Sequence, residues 1–218
     1  MSQWLVVYIP HLLCFYPIMP GLKSFLSGVA PILHVTPAAL YERQRALVTL
    51  GVLEPIEGRG RGSGVPFTAD NFAAVLISML ATDSLSEVDE RVVHLINAIP
   101  GGAVTVGNAR MAWQKLGKPT FLTEVGRVLA GQNTIWRHSE TSRQRTFYAI
   151  RVARHSAGQI VDSPSGANPI IYTPTKREAL ITRPGITITA SFEYHALEKL
   201  IDFTSGALSQ LTEEEGEE

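Results

Sequence analysis

Residues 26–55, which read LSGVAPILHVTPAALYERQRALVTLGVLEP, carry the start and stop signals of a helix. Thr36 suits the N-cap because its hydroxyl can accept a free backbone N–H of the first turn. Pro37 suits the first helical position, where a missing N–H costs nothing. Gly51 suits the left-handed position that follows a helix end. The stretch therefore predicts a helix over 36–50.

The predicted helix has an apolar face and a polar face. At about 100° per residue, apolar side chains cluster on one side and should pack on the preceding chain, where 29–33 predicts a short helix and 34–35 a tight turn. This apolar face consists of Ala39, Leu40, Ala46, Leu47 and Leu50. The opposite face consists of Ala38, Tyr41, Glu42, Arg45 and Thr49, with Arg43 and Gln44 at its margins. Because arginine pairs with guanine and glutamine with adenine in the major groove, this second face is typical of a helix that reads double-stranded DNA.

A glycine- and arginine-rich segment follows the helix. Residues 52–56 and 65–68 predict two short strands, and GRGRGSG at 58–64 predicts the loop that joins them. Arg59 and Arg61 have no acidic residue between them, so we expect them to contact phosphates or to enter a narrow minor groove.

The order of these elements resembles the winged helix-turn-helix superfamily and, within it, the MerR-like subgroup. VTPAALYERQRALVTLGVLEP at 35–55 and PFTADNFAAVL at 66–76, where Thr68 or Asp70 caps the next helix, carry the resemblance, which covers about residues 29–80. It implies a recognition helix at 36–50 in the major groove and a wing at 57–65 on the backbone or minor groove. The residues expected to contact DNA are Thr36, Ala38, Tyr41, Glu42, Arg43, Gln44, Arg45, Arg59 and Arg61. The subgroup's long coiled-coil helix and effector-binding cysteines are absent from the sequence.

The remaining sequence predicts an α+β chain in several parts. After a winged module at 21–82, we expect a helical connector at 83–135, a small domain of one sheet and one helix at 136–208, and an acidic tail at 209–218. The predicted strands of the small domain are 146–152, 169–172, 179–182 and 186–192, and its predicted helix is 193–203. The apolar positions of that helix are Ala196, Leu197, Leu200, Ile201 and Phe203, part of which we expect to pair with a second copy in a homodimer.

The first twenty residues form an apolar leader without Lys, Arg, Asp or Glu. Three prolines would interrupt a membrane-spanning helix, and a secretory signal would need a basic start. We therefore expect no membrane association. We interpret Met19 as the natural start and the residues before it as either foreign to the protein or a poorly ordered extension. We expect the chain without residues 1–18 to remain soluble and to bind DNA.

Charge and motif content narrow the function. The formal net charge is −1, but nine basic residues and two acidic ones lie between Arg110 and Arg154, and five glutamates lie in the tail. A phosphate-contacting role for this second basic region and a solvated strand face are both compatible with it. No phosphate-binding loop, nucleophile elbow or metal-ligand spacing is present, so we expect no enzyme, metal or cofactor.

A single cysteine, Cys14, excludes an internal disulfide and fits the cytoplasm. The sequence thus predicts a cytoplasmic, DNA-binding transcriptional regulator. The alternative is a protein-interaction or phage-type assembly module with the same fold.

Overall fold

The structure is a computed structural model. It describes residues 21–58, 64–100, 119–132, 149–154, 157–161, 170–173 and 189–215. Helices pack on one antiparallel sheet, so the expected α+β class is confirmed. None of the helices in these ranges is both long and apolar enough to cross a membrane.

Three helices and a hairpin form the N-terminal part. Helix α1 is Leu22–Val29, α2 is Pro37–Thr49 and α3 is Ala69–Ala81. Between α2 and α3 the chain makes a hairpin, in which Ile56 and Gly64 exchange backbone hydrogen bonds of 2.9 and 3.0 Å. The returning segment also pairs with the start of α1, since Leu22 N donates to Val65 O at 2.8 Å. The strands expected at 52–56 and 65–68 form only isolated bridges.

Capping residues set the limits of α2. The Thr36 hydroxyl accepts from Ala39 N at 3.2 Å. At the other end Gly51 has φ +69°, and its N–H donates to Val48 O at 3.0 Å while Val52 N donates to Leu47 O at 2.9 Å. This pair of bonds is the Schellman arrangement, which satisfies the last carbonyls of a helix. The predicted cap and stop of this helix are therefore confirmed.

Helix α3 lies at the centre of the molecule. Its N-cap is Thr68, whose hydroxyl accepts from Asn71 N at 3.0 Å. It contacts α1, α2, the short helix α4 (Glu90–Ile96) and helix α5 (Phe121–Leu129), and its other side faces the sheet. Because apolar residues surround it, one buried core extends from the N-terminal helices to the sheet.

The sheet is antiparallel, with strand order β1-β4-β3-β2-β5. The strands are β1 Ile99–Pro100, β2 Ala149–Ala153, β3 Ala157–Val161, β4 Ile170–Thr173 and β5 Thr189–Glu193. In the centre, Ile150 pairs with Ile160 on β3 and with Phe192 on β5. Helix α6, Tyr194–Glu215, follows β5 directly and contacts α5, β2 and β5.

An aromatic cluster joins the N-terminal helices to α6. Phe25 of α1 stacks on Phe67 at 3.9 Å between ring centroids and meets Phe72 of α3 edge-on at 4.8 Å. Phe203 of α6 lies 5.2 Å from the Phe25 ring. Helix α1 is thus held in place by aromatic contacts with the hairpin, with α3 and with α6.

Several predicted boundaries differ from the structure. The short helix expected at 29–33 lies earlier, at Leu22–Val29, and turns occupy 30–34, where His34 has φ +53°. Strand β3 was not predicted, because Gly158 and Gln159 interrupt its apolar run. The last helix extends to Glu215 rather than ending near residue 203, which places part of the expected acidic tail in a helix. The strand predicted at 179–182 lies outside the described residues.

Candidate nucleic-acid interface

The exposed face of α2 is the centre of the candidate interface. Thr36, Ala38, Glu42 and Arg45 are exposed, and Tyr41 is half-buried. The Thr36 oxygen accepts the capping bond, so its hydroxyl hydrogen is free to donate to another group. The structure thus brings five of the nine predicted contact residues onto one accessible surface.

Two of the polar residues on this face pair with one another. Arg45 Nη1 lies 3.2 Å from Glu42 Oε1, and the two side chains are 64% and 47% exposed. An exposed pair one turn apart contributes little stability and exchanges readily for other partners. Arg45 can therefore leave Glu42 for a stronger anion at small cost.

Arg43 does not lie on the exposed face, which corrects the prediction that it contacts DNA. The residue is 9% exposed, and its guanidinium donates to Ser78 O at 2.9 Å, to Thr82 O at 2.8 Å and to Asp83 O at 3.3 Å. Burial lowers the pKa of the Arg43 guanidinium, and the neighbouring Asp83 carboxylate acts in the opposite direction. Its donors are engaged by the C-terminal end of α3, so this side chain is structural.

Gln44 is also buried, with 6% of its surface exposed. Its Oε1 atom has no hydrogen-bond partner among the described residues. Together with Leu40, Arg43 and Leu47 it forms the buried side of α2, a spacing of three and four residues that is typical of a core-facing helix. Arg43 and Gln44 were expected at the margin of the polar face because they are polar, but at about 100° per residue Arg43 falls within the apolar face. Ala39, which was assigned to the core, is exposed.

The hairpin after α2 holds the base of the arginine-rich loop. The Ile56–Gly64 pair closes it, and Gly58 and Gly64 have φ +155° and +105°, values that favour glycine. Arg59 and Arg61 lie outside the described residues. They are separated from the closing pair by only a few residues, so the loop that carries them starts and ends beside α2.

An open groove of about 530 Å³ lies between α2 and the hairpin. Its lining residues come from α2, from the hairpin and from the short 3₁₀ helix Leu85–Glu87, and include Tyr41, Arg45, Val48, Thr49, Pro55, Gly64, Val65 and Leu85. Leu85 is 43% exposed, and Ile56 beside Pro55 is 53% exposed. The groove was not foreseen from the sequence, because Leu85 is far from the hairpin along the chain.

Positive charge on this face is limited in the described residues. Lys23 of α1 lies with its Nζ atom 4.4 Å from the centroid of the Tyr41 ring, a cation–π contact that the sequence did not indicate. The two exposed cations Lys23 and Arg45 are outnumbered by three exposed acids, which are Glu42, Glu54 and Glu57. Any excess of positive charge here must come from Arg59 and Arg61.

The second basic region has partners where the structure describes it. Arg151 on β2 bonds the Glu193 carboxylate at 3.3 Å, and Arg154 pairs with Asp83. Arg137, Arg143 and Arg145 lie outside the described residues. These ion pairs favour the interpretation that Arg151 and Arg154 belong to a solvated strand face with paired charges rather than to a phosphate-contacting surface.

The apolar stripe of α6 is largely used within the molecule. Leu197, Leu200 and Ile201 are buried, and Ala196 is half-buried. Phe203 remains 37% exposed although it contacts Phe25. Most of the surface that was expected to pair with a second copy therefore packs on the chain's own core.

Comparison with known proteins gives no relatives from which to transfer a function. No family model matches the chain, and no curated protein and no solved structure matches it.

Proposed function

We propose that residues 21–82 form a winged helix-turn-helix that binds double-stranded DNA, and that the chain is a cytoplasmic transcriptional regulator. The observation that carries the proposal is the shared groove: the exposed side of α2 and the base of the arginine-rich hairpin line the same opening. A helix in the major groove and a loop on the adjacent backbone require this neighbourhood. The capped start of α2 presents the residues that would approach the bases.

The contact residues divide by role. Tyr41 and Arg45 are the proposed base-edge contacts, with Ala38 and Glu42 beside them. Thr36 donates its hydroxyl hydrogen to a phosphate, and Lys23 lies close enough to Tyr41 to contact the same strand. Arg59 and Arg61 supply the positive charge that the described residues lack. A homodimer stays part of the proposal, because one winged module buries only about 600–1,000 Å² on DNA.

The test is the salt dependence of DNA binding by the variant Arg59→Ala plus Arg61→Ala. Each lost phosphate contact lowers the slope of log affinity against log salt by about 0.9. We expect weaker binding to all duplexes and a slope reduced by about one to two units, measured by gel-shift titration at several salt concentrations.

A matched control removes two positive charges elsewhere. Arg151→Ala plus Lys199→Ala changes the net charge equally, at a half-buried position on β2 and an exposed position on α6. We expect this variant to keep the wild-type slope. If the loop variant keeps both affinity and slope, the loop is not part of a DNA interface and the proposal fails.

A second candidate function is the binding of a protein segment. The observation in its favour is the apolar content of the groove, where Val48, Pro55, Val65 and Leu85 lie beside the exposed Ile56. Nucleic acid offers little apolar surface to such a lining, whereas a peptide offers aliphatic and aromatic side chains. This candidate predicts a slope near zero for retention on random duplex DNA.

A further inference from the structure

The chain enters the described structure at the side of the groove. Gly21 pairs with Pro66, and Leu22 N donates to Val65 O at 2.8 Å. Val65 and Gly64 are themselves lining residues of the groove. Residues 1–20 are therefore tethered within one or two residues of the opening between α2 and the hairpin.

The chemistry of residues 1–20 matches the lining of the groove. The segment MSQWLVVYIPHLLCFYPIMP contains no Lys, Arg, Asp or Glu and is rich in aliphatic and aromatic side chains. The groove offers Ala46, Val48, Pro55, Val65 and Leu85. Burying two such surfaces against one another is favourable because it removes apolar area from water. The tether adds to this, because a linked segment binds at a high effective concentration.

Gln44 supplies an independent sign that the groove lacks a component. Gln44 lines the groove, and only 6% of its surface is exposed. Its Oε1 atom has no hydrogen-bond partner among the described residues. Burial of an acceptor without a donor is unfavourable, so native proteins rarely keep one. A backbone N–H of a segment that lies in the groove would supply this donor.

We infer that residues 1–20 dock in the groove between α2 and the hairpin. The reach is sufficient, since five extended residues span about 17 Å. Docked there, the segment covers Tyr41, Arg45 and Thr49, which lie on the face of α2 that was assigned to DNA. The leader then competes with DNA, a consequence that rests on the proposed function, whereas the docking itself does not.

The experiment uses Cys14, the one cysteine of the chain, in the full-length protein. A nitroxide attached to Cys14 broadens the amide signals of nearby residues in ¹⁵N-labelled protein. We expect Val48, Thr49, Gly64 and Leu85 to lose most of their intensity, and strand β4, whose partners are β1 and β3, to keep it. Reduction of the nitroxide in the same sample gives the reference intensities.

Two variants test the contact from its two sides. Leu12→Asp plus Leu13→Asp places charge in the leader beside the label, and Leu85→Asp places charge at an exposed position of the groove. Both should restore the lost intensities. Ile171→Asp, at a 37% exposed position on β4, is the matched control and should leave the broadening in place.

The outcomes are separable from those of the proposed function. Three outcomes would each overturn the docking. The first is full intensity at the groove residues, and the second is broadening that survives both variants. The third is broadening that requires a mixture of spin-labelled protein without ¹⁵N and ¹⁵N-labelled protein without the nitroxide, since the contact would then join two molecules. If docking holds and DNA binds, the leader variant should bind duplex DNA about tenfold more tightly, the size of a typical coupling between two sites. If no variant binds DNA, the proposed function fails and the amide intensities still decide the docking.

Discussion

At the scale of single residues, Arg43 joins three parts of the molecule. The carbonyls at the end of a helix have no intrahelical donors and carry partial negative charge. The Arg43 guanidinium supplies donors to Ser78 O, Thr82 O and Asp83 O, at the end of α3. The Asp83 carboxylate in turn pairs with Arg154, which follows β2. One buried cation on α2 therefore sets the orientation of that helix against the centre of the fold.

We predict that Arg43→Ala lowers the free energy of unfolding by about 2–4 kcal/mol, because it removes charged hydrogen bonds and leaves the buried Thr82 carbonyl without the donor that Arg43 supplies. Urea unfolding followed by circular dichroism measures the change. Arg45→Ala, two residues along the same helix, is the control and should change stability by about 0.5 kcal/mol or less, since its ion pair is exposed. Equal effects of the two substitutions would show that Arg43 is not a structural residue.

The contrast between these two arginines shows how far the sequence alone could lead at this scale. Thr36, Gly51 and Thr68 act through their own backbone or side-chain chemistry, and each was recognisable from its neighbours along the chain. The burial of Arg43 depends on α3, more than thirty residues away, which supplies the acceptors. At about 100° per residue Arg43 falls within the apolar face of α2, but its charge argued against burial until the acceptors on α3 were known. The exposed face of α2 was therefore predicted correctly only in part.

At the scale of elements, local signals placed most helices and fewer strands. Within the connector that was expected to be helical, α5 begins after its cap Thr120, whose hydroxyl accepts from Thr123 N, and ends before Gly131 at φ +67°. Strand β3 contains Gly158, a residue that weakens strand propensity, and it is a strand because its neighbours β2 and β4 pair with it. Its glycine has a packing reason that only the assembled fold reveals.

Gly158 lets helix α5 approach the sheet. A Cβ atom built at this position would lie 2.5 Å from the ring of Phe121, which is fully buried and 5.2 Å from the Tyr172 ring. We predict that Gly158→Ala destabilises the protein by about 1–3 kcal/mol, as for other overpacked cores. The shift of the thermal midpoint in calorimetry measures the loss.

Gly206 provides the opposite expectation on helix α6. A Cβ atom there meets nothing within 4 Å, and alanine favours a helix over glycine. Gly206→Ala should therefore raise stability by about 0.5–1 kcal/mol. A stabilising Gly158→Ala would contradict the close approach of Phe121, and the Gly206 variant excludes a general effect of added methyl groups.

At the scale of the whole molecule, helix α3 unites the N-terminal helices and the sheet. The buried residues of this helix surround its axis, and they are Phe72, Ala73, Ala74, Val75, Leu76, Ile77, Ser78, Leu80 and Ala81. A helix that is apolar on every side needs partners on every side. Helices α1 and α2 cover part of this surface, and α5, β2 and β5 cover the rest. The candidate DNA-binding module and the C-terminal sheet thus share one core.

This sharing predicts that the module at residues 19–82 does not fold by itself. Cutting the chain after Thr82 removes α5 and the sheet, exposes the second side of α3 to water and deletes the Asp83 acceptor and the Arg154 pair. A fragment of about 60 residues buries too little surface to absorb that loss. We expect the full chain to unfold in one cooperative thermal transition, and the fragment to show no cooperative transition and poor dispersion of its amide signals. Two separate transitions in the full chain, or a cooperative melt of the fragment, would mean that the module is an independent domain and that α3 completes its core without the sheet.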